Sequence, residues 1–215
     1  MANVTLGHVV DVVLRTLQED TGSAEQWDKQ EVVDYCNLAG RETAVFAPDA
    51  NRVIESIRFA PGVKQSIPSG RIALIDVRRN MGSDGSTPGE AITRTEIALI
   101  SVVSRGWASE TPGATVKNWM PDGLTAFYVY PPADGSGFVE IEASAVPAII
   151  VYDEPGAWQN ALIGVAEKYV NAVINHVLHQ CYKKDSDFPG NLQRELKYYN
   201  LFLHEVGQPP LKGGK

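Results

Sequence analysis

The feature that most limits what this chain can fold into is a change of hydrophobic period along its length. Apolar residues recur about every 3.6 positions from Leu6 to Phe46, lose that period between Arg52 and Tyr152, and regain it from Asp153 to Val206. In the middle stretch, short apolar runs alternate with Gly, Pro, Ser and Asp clusters, the texture of strands and turns. The pattern predicts an α+β protein in which helices from the N- and C-terminal regions form a helical bundle and a β-rich insertion lies between them. The corresponding divisions are 1–51 for the N-terminal helices, 52–152 for the β-rich insertion, 153–206 for the C-terminal helices and 207–215 for a flexible tail.

Local chemistry sharpens these boundaries. Leu6, Val9, Val10, Val13, Leu14 and Leu17 form one helical face with Thr5 as N-cap, and Asp20-Thr21-Gly22-Ser23 reads as the stop. A second helix opens at Asp28, with Glu31 in the capping-box position and Trp27 and Val32 at the spacing of a hydrophobic staple. Val32, Cys36, Ala39, Thr43 and Phe46 line its face until Pro48 ends it. Strands are predicted at 53–59, 72–78, 125–130 and 138–146, with Asp134-Gly135-Ser136-Gly137 as a hairpin turn between the last two. Residues 82–89 read as a long polar loop, and 95–104 as a short helix capped by Thr95. Asp153 and Pro155 suit the start of a long helix whose stripe includes Leu162, Val165, Ala166, Tyr169, Val173, Val177 and Cys181. A last helix over 190–206 places Leu192, Leu196, Tyr199 and Leu203 on one face.

Composition then removes function classes. The apolar stretches fall short of the roughly 20 residues a spanning helix needs, so no membrane association is expected. Met-Ala-Asn-Val-Thr lacks the cationic and apolar regions of a secretory signal, which leaves the Asn3-Val4-Thr5 sequon little weight. Cys36 and Cys181 each sit in an apolar helical pattern and are expected as buried thiols of a reducing compartment rather than as a disulfide. A formal net charge of −7 argues against a general nucleic-acid binder, which needs a clustered positive surface. It is compatible with a ring whose negative wall lets DNA pass without gripping it.

A search for chemistry yields no catalytic residue, no metal site and no cofactor. No Gly-rich loop ends in Gly-Lys-Ser/Thr, the 82–89 loop lacks a basic residue, and no Gly-x-Ser-x-Gly elbow occurs. His176 and His179 lie three apart on a helix while Cys181 points away from them, so both read as polar edges of a packed helix rather than a zinc set. The stretch from Asp185 to Gly190 begins like a calcium loop, but Pro189 and Leu196 occupy positions that need oxygen ligands, so it reads as an acidic turn capping the last helix. Glu140 and Glu142 share a strand face and read as solvated charges rather than an acid–base pair. Trp107, Trp119, Phe127, Tyr128 and Tyr130 cluster in the β-rich half. They are either its small core or, for Trp107, Trp119, Tyr128 and Tyr130, anchors of a protein–protein interface, where Trp and Tyr are enriched.

A series of landmarks adds a resemblance. Trp27 precedes a helix containing Asp34-Tyr35-Cys36-Asn37-Leu38-Ala39 and closed by Pro48. Ala60-Pro61-Gly62-Val63-Lys64-Gln65-Ser66-Ile67-Pro68 follows, then Leu74-Ile75-Asp76-Val77-Arg78-Arg79-Asn80-Met81-Gly82. Later come Trp107, Tyr128-Val129-Tyr130-Pro131-Pro132, Ala145-Val146-Pro147, Tyr182-Lys183-Lys184-Asp185 and Tyr198-Tyr199-Asn200-Leu201-Phe202. In this order and spacing the chain resembles the head-to-tail adaptor, or connector, proteins of tailed bacteriophages of the short-tailed type, over nearly its whole length.

That resemblance implies a structural virion protein and not an enzyme, since the family has no catalytic residues to carry over. It implies a helical bundle with a β insertion, made in the host cytoplasm and assembled at the virion neck as a homo-oligomeric ring, a dodecamer. The portal protein would bind one side and a downstream tail protein the other, with DNA passing through the lumen without specific binding. A head-to-tail contact repeated about an axis closes into such a ring. On this reading Pro209, Pro210 and Leu211 form an apolar spot in the tail that docks into the portal or a neighbouring subunit and orders on binding. The 82–89 loop and the aromatic region would face the next tail component or the channel. Two other readings stay open: another neck, tail-tube or head-completion subunit, and a monomeric ligand-binding module using the aromatic β half.

Overall fold

A computed structural model of the chain describes residues 4–17, 27–153, 156–185 and 190–211. The chain divides into two compact units, one of residues 1–51 with 147–215 and the other of residues 52–146. The turn expected at Asp20–Ser23 and the helix-starting Pro155 lie outside the described residues, as do most of the acidic 185–190 stretch and residues 212–215 of the tail.

The expected bundle of terminal helices around one β insertion does not describe this molecule. Helices occur in the N-terminal, middle and C-terminal regions, and the middle holds two separate four-stranded sheets. Two local outcomes account for the error: a stretch expected as helix takes extended and 3-10 conformations, and the β segment builds a core of its own.

In the first unit, α1 (Leu6–Thr16) is capped by Thr5, whose hydroxyl accepts from the His8 N–H at 3.4 Å. Asp28 caps α2 (Lys29–Phe46), its Oδ1 accepting from the Gln30 N–H at 3.0 Å. Glu31 does not close a capping box. Its carboxylate accepts from the Tyr35 hydroxyl at 2.9 Å and pairs with Lys184. The helix expected to start at Asp153 instead starts at Val170, as α4 (Val170–Lys184). Upstream, Gly156 at φ 106° opens a 3-10 turn over Ala157–Asn160, and Asp153 accepts from the Trp158 N–H at 3.0 Å.

The chain then runs extended. Leu6 N donates to Ala161 O at 2.8 Å, Ile163 N to Val4 O at 3.3 Å and Ala166 N to Ala50 O at 2.7 Å. Partners distant in sequence thus satisfy backbone groups that a helix would have satisfied locally. The approach is close enough that a Cβ on Gly7 would lie 2.8 Å from the Gln159 carbonyl oxygen. The last helix, α5 (Asn191–Glu205), packs along α4. Val9, Val13, Val32, Val33, Val177 and Phe202 are fully buried in this unit's core, and each such side chain contributes about 1.5–3 kcal/mol. Cys36 and Cys181 are free and buried. Burial raises both thiols, Cys181 to about 12, which keeps them protonated and unreactive near neutrality.

The second unit contains β1 (Arg52–Arg58), β2 (Gly62–Ser66), β3 (Arg71–Met81), β4 (Pro88–Ala91), β5 (Thr93–Arg94), α3 (Ile97–Val103), β6 (Asn118–Asp122), β7 (Ala126–Ala133) and β8 (Phe138–Ala145). One sheet has the order β1-β8-β3-β4 and is antiparallel throughout. The other has the order β2-β7-β6-β5, with β5 and β6 parallel. The four predicted strands correspond to β1, β3, β7 and β8. The other four are short, and Pro88 in β4 and Pro121 in β6 hide the strand signal.

The 134–137 turn is not a hairpin, because β7 and β8 belong to different sheets; it carries the chain from one sheet to the other. Asp134 braces it, accepting from the Ser136 N–H at 2.7 Å. A Cβ on Gly137 would fall inside the van der Waals sphere of the Ala114 carbonyl oxygen, so the crossing requires glycine there. Helix α3 starts after Glu96 rather than Thr95, with no side-chain cap. Val77, Phe127, Val129, Val139, Ile141 and Ala143 are fully buried in this unit's core.

Candidate functional site

Period-2 alternation along β7 sorts the aromatic residues. Phe127 and Val129 point into the core, and Trp119, paired with Val129 in the β6–β7 register, joins them. Trp119 is only 2% exposed and meets the Phe127 ring edge-on at 6.3 Å. Its Nε1 is buried without a partner, and the Arg94 guanidinium lies 5.5 Å from its ring centre.

Tyr128 and Tyr130 occupy the other face of β7, half-buried. The Trp107 ring, on a 3-10 turn over Trp107–Ser109, meets Tyr128 edge-on at 6.1 Å. Tyr130 donates its hydroxyl to Glu110 Oε1 at 3.2 Å, and Ser104 donates to the same oxygen at 2.6 Å. Hydrogen bonding to Glu110 raises the Tyr130 phenol above its ordinary value of 10. Lys64 pairs with Asp122 at 2.8 Å while lying 5.7 Å from the Tyr128 ring centre. The structure therefore gathers Trp107, Tyr128 and Tyr130 on one face and places Trp119 on the opposite face of the same strand pair.

Helix α3 presents a feature that periodicity did not disclose. Ile100 is buried, whereas Leu99, Val102 and Val103 are 58, 81 and 77% exposed and share a face at i, i+3 and i+4. The sequence signal was available: 97–103 has no charged residue, unusual for a helix with so little of itself buried.

A second exposed apolar surface lies on α5. The predicted face of Leu192, Leu196, Tyr199 and Leu203 is rotated: Phe202, Leu203 and Val206 are buried, while Leu192 is 69% and Leu196 37% exposed. With His179, Lys183, Glu195 and Leu211 these leucines line a groove of about 540 Å³. The described part of the tail follows α5, with Gln208 N donating to Leu203 O and Leu211 N to Asn200 Oδ1, both at 2.8 Å; Pro209, Pro210 and Leu211 remain exposed.

Beneath the groove, His176 is fully buried with Nε2 2.8 Å from Glu42 Oε2, and its ring packs 4.9 Å from Phe202 and 5.9 Å from His179. His176 Nδ1 is buried without a partner. The His176 bond holds Glu42 below its ordinary carboxylate value, and burial holds His179 below its ordinary value. Among the described residues no three His, Cys, Asp or Glu side chains are grouped to hold a metal ion.

Glu140 and Glu142 are not the solvated charges expected. Glu142, 7% exposed, lies 3.0 Å from Arg52 and 3.3 Å from Arg78, and Glu140 lies 3.7 Å from Arg78 and 3.3 Å from Arg79. This ladder crosses β1, β8 and β3, with each acid set between arginines, so it is a structural element of that sheet.

The family model described as SU10 adaptor protein matches residues 4–211. The chain belongs to the SU10 adaptor family. It is accordingly a structural protein of the phage head-tail adaptor type, the kinship its landmarks suggested. A chain from the solved virion of a native gene transfer agent particle is similar at 15% identity, over 99% of this chain and 96% of that one, with a TM-score of 0.30. No curated protein matches it. No described helix of this SU10 adaptor is long and apolar enough to cross a membrane. Large exposed apolar side chains include those of α3 in one unit and, in the other, those beside the α4–α5 groove and Ile149, Val151 and Leu162.

Proposed function

We propose that this SU10 adaptor is a ring subunit at the virion neck, bound to the portal protein on one side and to a downstream tail protein on the other. DNA passes through the ring's lumen without specific binding. The observation that carries this reading is the family match across residues 4–211. Two features support it. Contiguous exposed apolar surface, as on α3 and beside the α4–α5 groove, marks protein contacts more often than it marks a solitary soluble domain. The net charge of −7 suits a wall that repels phosphate.

In this role the chain is structural and not catalytic, and the ring has twelve copies. Trp107, Tyr128 and Tyr130 contact a neighbouring chain, and Trp119 supports them from the core side of the strand pair. Pro209, Pro210 and Leu211 are the tail contact to the portal or to the next subunit. The test is the copy number of this chain relative to the portal protein in purified particles of the source virus, with antibody labelling to locate it. Equal numbers with label at the neck are expected; absence from particles overturns the reading.

A further inference from the structure

Two nucleophilic side chains of the first unit have no part in the adaptor role: Cys36 on α2 and Cys181 on α4, 5% and 0% exposed in the same core. Two cross-helix pairs set how these helices run past one another. Glu31 pairs with Lys184, and Glu42 with His176 at 2.8 Å, so α2 and α4 are antiparallel. Cys36 lies near the middle of the stretch from Glu31 to Glu42, and Cys181 near the middle of the stretch from His176 to Lys184. The two thiols therefore occupy one level of the helix pair.

Helices packed about 8–10 Å apart, with each Cα about 2.3 Å from its axis, bring facing Cα atoms to roughly 4–6 Å. A disulfide spans about 4.4–6.8 Å between Cα atoms. Ala39 and Gly40, one turn along α2 from Cys36, are buried and small, which favours close approach. Burial raises the Cys36 thiol and Cys181 raises it further, so the two sulfurs lie within electrostatic reach of each other. In the closed fold neither thiol reacts, and oxidation proceeds through transient opening of the helix pair.

We propose that Cys36 and Cys181 are a latent redox pair, which a small-molecule disulfide converts into an internal disulfide tying α2 to α4. On opening, one cysteine loses its proton and attacks a sulfur of the small disulfide, breaking its S–S bond and releasing one small thiolate. The second cysteine, deprotonated in turn, attacks the protein sulfur of this mixed disulfide and releases the other small thiolate. The protein is oxidised, the small disulfide is reduced to two thiols, and the protons given up by the cysteines end on those thiols. The bond would tie positions 145 residues apart, a long loop whose closure strongly restricts the unfolded chain. Only the timing rests on the adaptor reading: the pair stays reduced in the host cytoplasm and closes after the particle leaves it.

The test incubates the reduced full chain with oxidised glutathione in urea just below its unfolding transition, then reads intact mass, non-reducing electrophoresis and melting. The expected product is a monomer about 2 Da lighter, free of glutathione, melting about 5–15 °C higher and restored by dithiothreitol. Cys36→Ala and Cys181→Ala should each stop at a glutathione adduct that does not resolve. A wild-type chain that keeps its glutathione adducts, or links into dimers, overturns the proposal, because the two sulfurs then do not meet. So do thiols that stay free under conditions in which iodoacetamide labels both. None of these outcomes touches the particle copy number, which decides the adaptor reading separately.

Discussion

Asn80 takes the place of a strand beside Val116. Its Oδ1 accepts from the Val116 N–H at 2.9 Å, and its Nδ2 donates to the Val116 carbonyl at 2.8 Å and to the Glu90 carbonyl at 3.2 Å. Both residues are buried. Asn80→Leu would keep the volume and strip both Val116 groups of their partner, each orphaned group costing about 1–3 kcal/mol. The expected loss in urea unfolding is therefore about 2–6 kcal/mol; a loss below about 1 kcal/mol would mean that water replaces the amide.

Such amide clamps show where sequence reading ends. Asn37 makes the same reciprocal pair with Ile150 at 2.8 and 2.9 Å, and Gln65 clamps Ala60 at 2.8 and 2.9 Å. Nothing local marks Asn37 and Asn80, because each answers backbone groups that only the folded chain brings near, while Gln65 closes a turn on Ala60 five residues back. The helices α1 and α2 were legible because Thr5 and Asp28 cap a regular apolar stripe, and β1, β3, β7 and β8 because their apolar runs are bounded by turn residues. The stretch around Leu162–Val165 was misread because its apolar spacing suits a helix, while Gly156 and long-range backbone partners favour extended chain. Of the candidate site, period-2 alternation along β7 puts Tyr128 and Tyr130 on one face and Phe127 and Val129 on the other, whereas Trp107, on its own 3-10 turn, meets Tyr128 only through the fold. The groove was not legible, since the rotation of α5 depends on where Phe202 finds its neighbours.

Gly137 and Gly123 separate two kinds of glycine requirement. At Gly137 an added methyl meets the Ala114 carbonyl, and backbone cannot swing aside as a side chain can. Gly123 has φ 75° but open space around the Cβ position. Gly123→Ala should cost about 1–2 kcal/mol, the left-handed penalty alone. Gly137→Ala should exceed the usual overpacking cost of about 1–3 kcal/mol, read as a lower melting temperature and less soluble protein.

Acidification should weaken the first unit in two steps. Burial lowers His179 below its ordinary 6.5, so between that value and 6.5 the unfolded chain binds more protons than the folded one. Stability therefore falls as pH drops through 6.5 and levels off below the folded value. The hydrogen bond from His176 lowers Glu42 below 4.5; its contribution is full above 4.5 and is lost as pH falls through the lowered value. Melting temperature measured from about pH 7 to about pH 5 should decline less in His179→Gln than in wild type. Equal declines would assign the effect to other groups.

The four tryptophans differ in access. Trp27, Trp119 and Trp158 are 4, 2 and 5% exposed, whereas Trp107 is half-buried against Tyr128. Acrylamide should quench mainly Trp107, and Trp107→Phe should remove most of the quenchable emission. Trp119→Ala should cost about 3–5 kcal/mol, as for any large core aromatic, and Trp107→Ala markedly less. If Trp107 contacts a neighbouring chain, Trp107→Ala lowers incorporation into particles at an unchanged melting temperature.

Among the described residues, the tail holds to its own helix by two backbone donors. Gln208 N donates to Leu203 O and Leu211 N to Asn200 Oδ1, and Pro209 and Pro210 have no N–H to add. Exposed bonds of this kind contribute about 0.5–1.5 kcal/mol each before the entropy of ordering the segment is subtracted. Removing residues 208–215 should therefore leave the melting temperature within a few degrees of wild type. The Pro-Pro-Leu spot, however, offers preset backbone and an exposed apolar end to a partner at small ordering cost. Truncated protein should then compete poorly with the full chain for attachment to portal-bearing heads. Equal attachment would show that the tail makes no part of that contact, and would move the search for it to the Trp107–Tyr128 face.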